Sequence, residues 1–132
     1  MTIIPKGKYI LLIDDDLVTT YLHKSLIKDL NKGFEVVNCE NGKAALTFLE
    51  KALAVNAVPY AIFIDLNMPV MDGFKFLEYY QHNNYPILYP SLITVLTTSS
   101  HPKDIEKLNS IGFVNYLPKP LTKQVLVNLL AS

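Results

Sequence analysis

Apolar runs of strand length recur along the chain at 9–13, 34–38, 60–64, 92–97 and 113–117, each rich in Ile, Val, Leu, Phe or Tyr. The segments between them carry apolar residues at helical spacing. Val18, Leu22, Leu26 and Leu30 form one such series, with Gly33 as a plausible stop, and Ala45, Leu49 and Leu53 form another behind Asn41. A third follows Asp72-Gly73 with Phe74, Leu77 and Tyr80 or Gln81. The fourth follows Ser100-His101-Pro102 with Ile105, Leu108 and Ile111 before Gly112, and the last runs from about Thr122 through Val125, Leu126, Leu129 and Leu130. Strands alternating with helices in this way predict an α/β fold, an open, doubly wound sheet of five parallel strands covered on both faces. In such a sheet, functional groups gather beyond the carboxyl ends of the strands.

No repeat, low-complexity tract or linker interrupts the pattern, and 132 residues suit one domain spanning 1–132. The stretch Tyr85-Pro86-Ile87-Leu88-Tyr89-Pro90 reads as a longer loop before the fourth strand. Half of the residues are apolar, 18% are charged and the formal charge is zero, which argues against disorder and against a broad nucleic-acid footprint. The apolar run at the N-terminus meets three acids too soon to be a signal peptide or a spanning helix. With a single cysteine, Cys39, no intramolecular disulfide can form, so a reducing cytoplasm is the expected compartment.

Chemistry enters at the strand ends. Asp14, Asp15 and Asp16 follow the first apolar run, Asp65 the third, Thr97 ends the fourth and Lys119 follows the fifth. A carboxylate at the end of the continuously apolar Tyr60-Ala61-Ile62-Phe63-Ile64 needs a partner. Mg²⁺ is a good candidate, because it takes hard oxygen ligands and would draw together acids that otherwise repel. Helix capping is the competing reading of the acids. It suits Asp16, whereas Asp14 and Asp15 belong with Asp65 and Lys119. Thr97 and Thr98 are both plausible strand-end hydroxyls, and register alone does not choose between them. His23, His82 and His101 share no metal-ligand spacing and read as surface residues. Tyr79, Tyr80, Tyr85 and Tyr89 read as a packing cluster sooner than an interface.

The succession ILLIDDD, FIDLNMPVMDG, VLTTS and NYLPKP on successive strand ends resembles the receiver domain of two-component response regulators, over about Lys8 to Leu130. The resemblance implies a flavodoxin-like (βα)5 sheet in the order 2-1-3-4-5. It implies that Asp65 is the phosphoacceptor, receiving a phosphoryl group from the phosphohistidine of a sensor histidine kinase or histidine phosphotransfer protein. Mg²⁺ would be held by Asp15 and Asp65 directly, by Asp14 largely through water, and by the backbone carbonyl of Asn67. Lys119 resembles the cation that pairs with the phosphoryl oxygens, and the family's usual interval to Lys119 selects Thr97 as the hydroxyl that moves to meet them. Tyr116 resembles the aromatic whose inward or outward rotamer accompanies that movement.

The resemblance also implies a cis Lys119-Pro120 bond and a partner surface on the fourth helix, fifth strand and fifth helix, including Lys103 to Ile111 and Tyr116. Thr98, where the family usually has a small residue, and Pro118 depart from the common pattern. The reading that results is a stand-alone signalling switch, not an enzyme beyond its own phosphoryl transfer and dephosphorylation, with no direct nucleic-acid or membrane partner. A receiver-fold interaction module working without phosphorylation is the alternative, and the complete set Asp14, Asp15, Asp65, Thr97 and Lys119 counts against it. A nucleotide- or flavin-dependent enzyme lacks its glycine-rich phosphate loop here.

Overall fold

A computed structural model describes residues 3–66, 68, 71–83, 92–97, 102–112 and 116–130. Five strands and five helices alternate along the described chain: β1 Tyr9–Ile13, α1 Leu17–Asp29, β2 Glu35–Cys39, α2 Gly42–Ala54, β3 Ala61–Asp65, α3 Gly73–His82, β4 Leu92–Thr97, α4 Pro102–Ile111, β5 Tyr116–Pro118 and α5 Lys123–Leu129. The strands form one parallel sheet in the order β2-β1-β3-β4-β5. Chain order and spatial order part company at β1, which has β2 on one side and β3 on the other. Asp14 leaves the sheet at that switch.

The period of two along each strand divides the core. Tyr9, Leu11 and Ile13 of β1 face α2, α3 and α4, packing with Leu49, Phe76, Leu77 and Leu108. Ile10 and Leu12 face the other way, toward α1 and α5, packing with Ile27, Leu126 and Leu130. Every residue of β1 and β3 is buried, which is why their sequences, up to the closing Asp65 of β3, are apolar runs without alternation.

Most element ends follow the local chemistry read from the sequence. Asn41, Asp72 and Thr122 cap α2, α3 and α5 by accepting the N–H groups of Ala44, Lys75 and Val125. Strands β2 and β3 each sit one residue later than their apolar runs, and β5 is described from Tyr116, with 113–115 outside the described residues. The proline-rich stretch 85–90 also lies outside them.

Helix α1 corrects the sequence reading. Its buried residues are Thr20, His23 and Ile27, whereas Val18 is 79% exposed and Leu22 also faces out. Leu26 and Leu30 are only partly buried. The series Val18-Leu22-Leu26-Leu30 is therefore not the inward stripe. His23 is no surface residue either: it is 2% exposed. The helix also stops short of Gly33, with Leu30 as its cap and Asn31 in the left-handed region at φ 54°. Among the tyrosines, Tyr80 is buried and stacked on Phe76, Tyr79 is exposed, and Tyr85 and Tyr89 lie outside the described residues.

Candidate metal and phosphoryl site

The three consecutive acids divide their work. The Asp14 N–H donates to the Cys39 carbonyl at 3.0 Å, extending the β1–β2 ladder by one bond and carrying Asp14 straight out of the sheet. The Asn38 amide adds donations to the carbonyls of Leu12 at 3.1 Å and Asp14 at 3.4 Å. Asp14 Oδ1 then accepts the Asp16 N–H at 2.9 Å, turning the chain into α1. Asp16 is the N-cap of that helix, accepting the Val18 N–H at 3.2 Å and the Thr19 hydroxyl. The Thr19 hydroxyl is the main reason the Asp16 carboxyl is held below its ordinary pKa.

Asp14 and Asp15 face Asp65. One carboxylate oxygen from each of the three lies within 4.8 Å of the other two. Asp14 and Asp65 are buried, and Asp15 is exposed. Lys119 Nζ stands between the two buried acids, 2.9 Å from Asp14 Oδ2 and 3.3 Å from Asp65 Oδ2. Burial alone lowers the Lys119 pKa, but its hydrogen bond to Asp14 and the charges of Asp14 and Asp65 outweigh burial and raise it. The ammonium ion is thus fixed in its charged form. Three hard oxygen donors converging from two strand ends fit a divalent cation of the Mg²⁺ kind.

Lys119 is placed by the sheet. Its N–H donates to the Thr97 carbonyl at 3.1 Å, continuing the β4–β5 pairing in which Thr97 sits opposite Pro118. The Lys119-Pro120 bond that follows is cis. Thr97 is buried at the end of β4, and Tyr116, at the start of β5, is exposed. Asn67 and Thr98 lie outside the described residues.

Beyond Asp65 the chain is anchored at Gly73, whose N–H donates to the Leu66 carbonyl at 2.9 Å. The positive-φ glycines among the described residues are Gly33 and Gly112, so Gly73 is not required for its dihedrals. Gly73 supplies space: a Cβ there would meet the backbone of Asp65 and Leu66. Gly42 makes a similar approach to Met71, whose carbonyl accepts the Gly42 N–H at 3.1 Å.

The family model described as the response regulator receiver domain matches residues 10–131. The chain belongs to this family. A solved two-component response regulator from Cytophaga hutchinsonii aligns with a TM-score of 0.80 at 30% identity, covering 95% of both chains. Response regulator Rcp1 from Synechocystis sp. is 31% identical over 114 residues, which is 85% of this chain and 76% of that protein. A structure of the Mn²⁺-bound form of Rcp1 aligns with a TM-score of 0.73 at 29% identity, covering 93% of this chain and 88% of the other. Hybrid signal transduction histidine kinase B of Dictyostelium discoideum is 30% identical over 95% of this chain, which spans only 6% of that protein. The chain is thus a receiver domain of two-component signalling. Among the described residues no helix is long and apolar enough to cross a membrane.

One receiver residue near the site was missed by reading the sequence. His23, on the buried face of α1, accepts the Leu121 N–H on its Nε2 at 3.1 Å. Burial lowers its pKa; the Asp14 carboxylate opposes that shift and the Lys119 ammonium adds to it. Nothing in the local sequence marks it except its place in the spacing Thr20, His23, Ile27, Leu30, which is helical but half polar.

Proposed function

We propose that this receiver is a phosphoacceptor switch, with Asp65 receiving the phosphoryl group of a phosphohistidine on a sensor histidine kinase or histidine phosphotransfer protein. The observation that carries the reading is the convergence of Asp14, Asp15 and Asp65 about one point, with Lys119 Nζ between the two buried acids. Asp14, Asp15 and Asp65 would hold Mg²⁺, with the Asn67 carbonyl as the further ligand expected from the family. When bound, Mg²⁺ supplies neutralisation of charge on the incoming phosphoryl oxygens.

The chain's own residues do the rest. Beside Lys119, Asp65 presents a carboxylate oxygen as nucleophile. An oxygen–phosphorus bond forms while the donor's phosphorus–nitrogen bond breaks, and its electron pair leaves on the imidazole, which takes its proton from solvent. Lys119, already charged and aimed, follows the growing negative charge onto the phosphoryl oxygens. Asp65 then carries an acyl phosphate, with new acceptor oxygens beside β4. Thr97, buried at that strand end, is the hydroxyl donor proposed to meet them, and Tyr116, exposed on β5, is the aromatic proposed to turn inward. The surface this would alter for a downstream protein is formed by α4, β5 and α5.

The test is incubation with Mg²⁺ and a small acyl-phosphate donor, followed by intact-mass measurement of wild type and Asp65→Asn. A single phosphoryl increment in wild type, lost in the variant, is the expected result. Absence of any increment in wild type, under conditions where a control receiver reacts, overturns the reading.

A further inference from the structure

We infer that His23 is a positioning residue for the phosphoryl site: through the N–H of Leu121 it fixes the segment carrying Lys119 relative to the helix that begins at the acids. The inference rests on the phosphoacceptor reading above and extends it to a residue that touches neither phosphoryl group nor metal.

The need for such a residue comes from the backbone. Lys119, Pro120 and Leu121 link the end of β5 to Thr122, the N-cap of α5. Pro120 has no N–H to give. The Lys119 N–H is bonded to the Thr97 carbonyl, leaving the Leu121 N–H without a partner from sheet or helix. Leu121 is buried among Ile10, Leu12, Ile27 and Leu126, an environment in which an unbonded amide is costly. His23 Nε2 supplies the acceptor at 3.1 Å. The N–H therefore needs a ring nitrogen without its own proton, so the ring is neutral and carries its hydrogen on Nδ1.

Two bonds then hold the segment from opposite sides. The Thr97 carbonyl ties Lys119 to β4, and His23 ties Leu121 to α1. Helix α1 is in turn fixed at its start by Asp16, whose own N–H is held by Asp14 Oδ1. His23 thus closes a path from Asp14 through Asp16, α1 and Leu121 back to Lys119, the ammonium that lies 2.9 Å from Asp14. A leucine at position 23 would fill the volume and leave the bond unmade. A glutamine would place its side-chain oxygen near the position of Nε2 and restore it.

The experiment compares wild type, His23→Leu and His23→Gln as full chains, each first checked for native far-ultraviolet circular dichroism and thermal unfolding. Phosphorylation rates with a small acyl-phosphate donor and Mg²⁺ are measured in these proteins and in the same changes combined with Lys119→Met. His23→Leu is expected to react about tenfold more slowly, since misplacing a catalytic group by a fraction of an ångström has effects of this order. His23→Gln should recover most of the rate. In the Lys119→Met background His23→Leu should cost nothing further, because the group it positions is gone. Without metal or donor, the Leu121 amide proton resonance should move upfield in His23→Leu and return in His23→Gln.

An unchanged rate in a folded His23→Leu protein overturns the inference. So does an equal loss with and without Lys119, or a glutamine variant as slow as the leucine one. If wild type itself takes up no phosphoryl group, the phosphoacceptor reading fails and the positioning role falls with it. Should His23→Leu not fold, His23→Asn, whose carbonyl falls short of Leu121, replaces it under the same criteria.

Discussion

Gly73 comes so close to Asp65 that a Cβ added to it would lie 2.5 Å from the Asp65 carbonyl oxygen and 2.7 Å from the Leu66 Cα. Both neighbours are backbone atoms at the end of a fully buried strand, so neither can swing aside as a side chain would. Gly73→Ala should therefore destabilise the protein by about 1–3 kcal/mol, the usual cost of forcing atoms into a packed site. Chemical denaturation measures this. The phosphorylation rate should fall as well, because the displaced atoms belong to the proposed nucleophile's own residue, and an alanine variant of wild-type stability would contradict the assignment.

Removing Lys119 should do more than remove a catalytic charge. Its ammonium group is the cation between two buried carboxylates, so Lys119→Ala leaves Asp14 and Asp65 repelling each other. Breaking a buried ion pair from one side typically costs about 3–5 kcal/mol. Denaturation in a metal chelator should show a loss of that order, and Mg²⁺ should recover more stability in Lys119→Ala than in wild type, because binding only the folded state raises its stability. Equal Mg²⁺ responses in the two proteins would place the metal elsewhere.

Asp15 offers the cleaner test of metal binding, since it is exposed and its loss uncovers no buried charge. Asp15→Ala should fold with near-wild-type stability and bind Mg²⁺ at least about tenfold more weakly, a change of about 1.4 kcal/mol. A Mg²⁺ titration followed by amide resonances checks it. Chelation of the metal should abolish the phosphoryl increment in wild type.

His23 predicts a pH dependence with a definite sign. Burial lowers its pKa below the ordinary 6.5, so the unfolded chain takes up a proton there before the folded chain does. Between the lowered value and 6.5, stability rises with pH; above 6.5 the contribution is level, and below the lowered value the loss is complete. The groups acting on the ring are Asp14, which opposes the shift, and Lys119, which adds to it. Denaturation midpoints below pH 6.5 should therefore fall more steeply for wild type than for His23→Gln. Parallel slopes would mean that His23 titrates no differently in the folded state.

Cys39 should be chemically quiet. Burial pushes its thiol pKa up to about 11, so almost no thiolate exists near neutral pH, and the side chain is closed to reagents. An aromatic disulfide reagent should label it only as fast as the protein opens, and at the rate of a free thiol once denaturant is added. Prompt labelling of the native protein would show that β2 opens readily.

How much of this the sequence revealed depended on the range over which each interaction acts. The parallel sheet was legible because burial on both faces leaves unbroken apolar runs, as in Tyr9–Ile13 and in residues 61–64 of β3. The caps at Asp16, Asn41, Asp72 and Thr122 were legible because an N-cap reads only the next few residues. Asp14, Asp65 and Lys119 were found from their common position at strand ends, which requires only that the strands be parallel. The space that Gly73 supplies was not legible, since the backbone it approaches belongs to residues several positions back. His23 was misread because its partner, Leu121, is distant in sequence, and because the series Val18, Leu22, Leu26 and Leu30, whose first two members face out, offered a more obvious inward stripe.

That second stripe has a consequence for folding. Leu17, Val18, Tyr21 and Leu22 point outward from α1 while Ile27 points in, so the helix has apolar groups around much of its circumference. The hydrophobic effect is non-directional and gives such a helix little instruction about which side to turn to the sheet. A hydrogen bond is directional, and the one between Leu121 and His23 is satisfied in a single rotational setting. In α1, a polar contact inside the core fixes the angle, and the apolar residues follow.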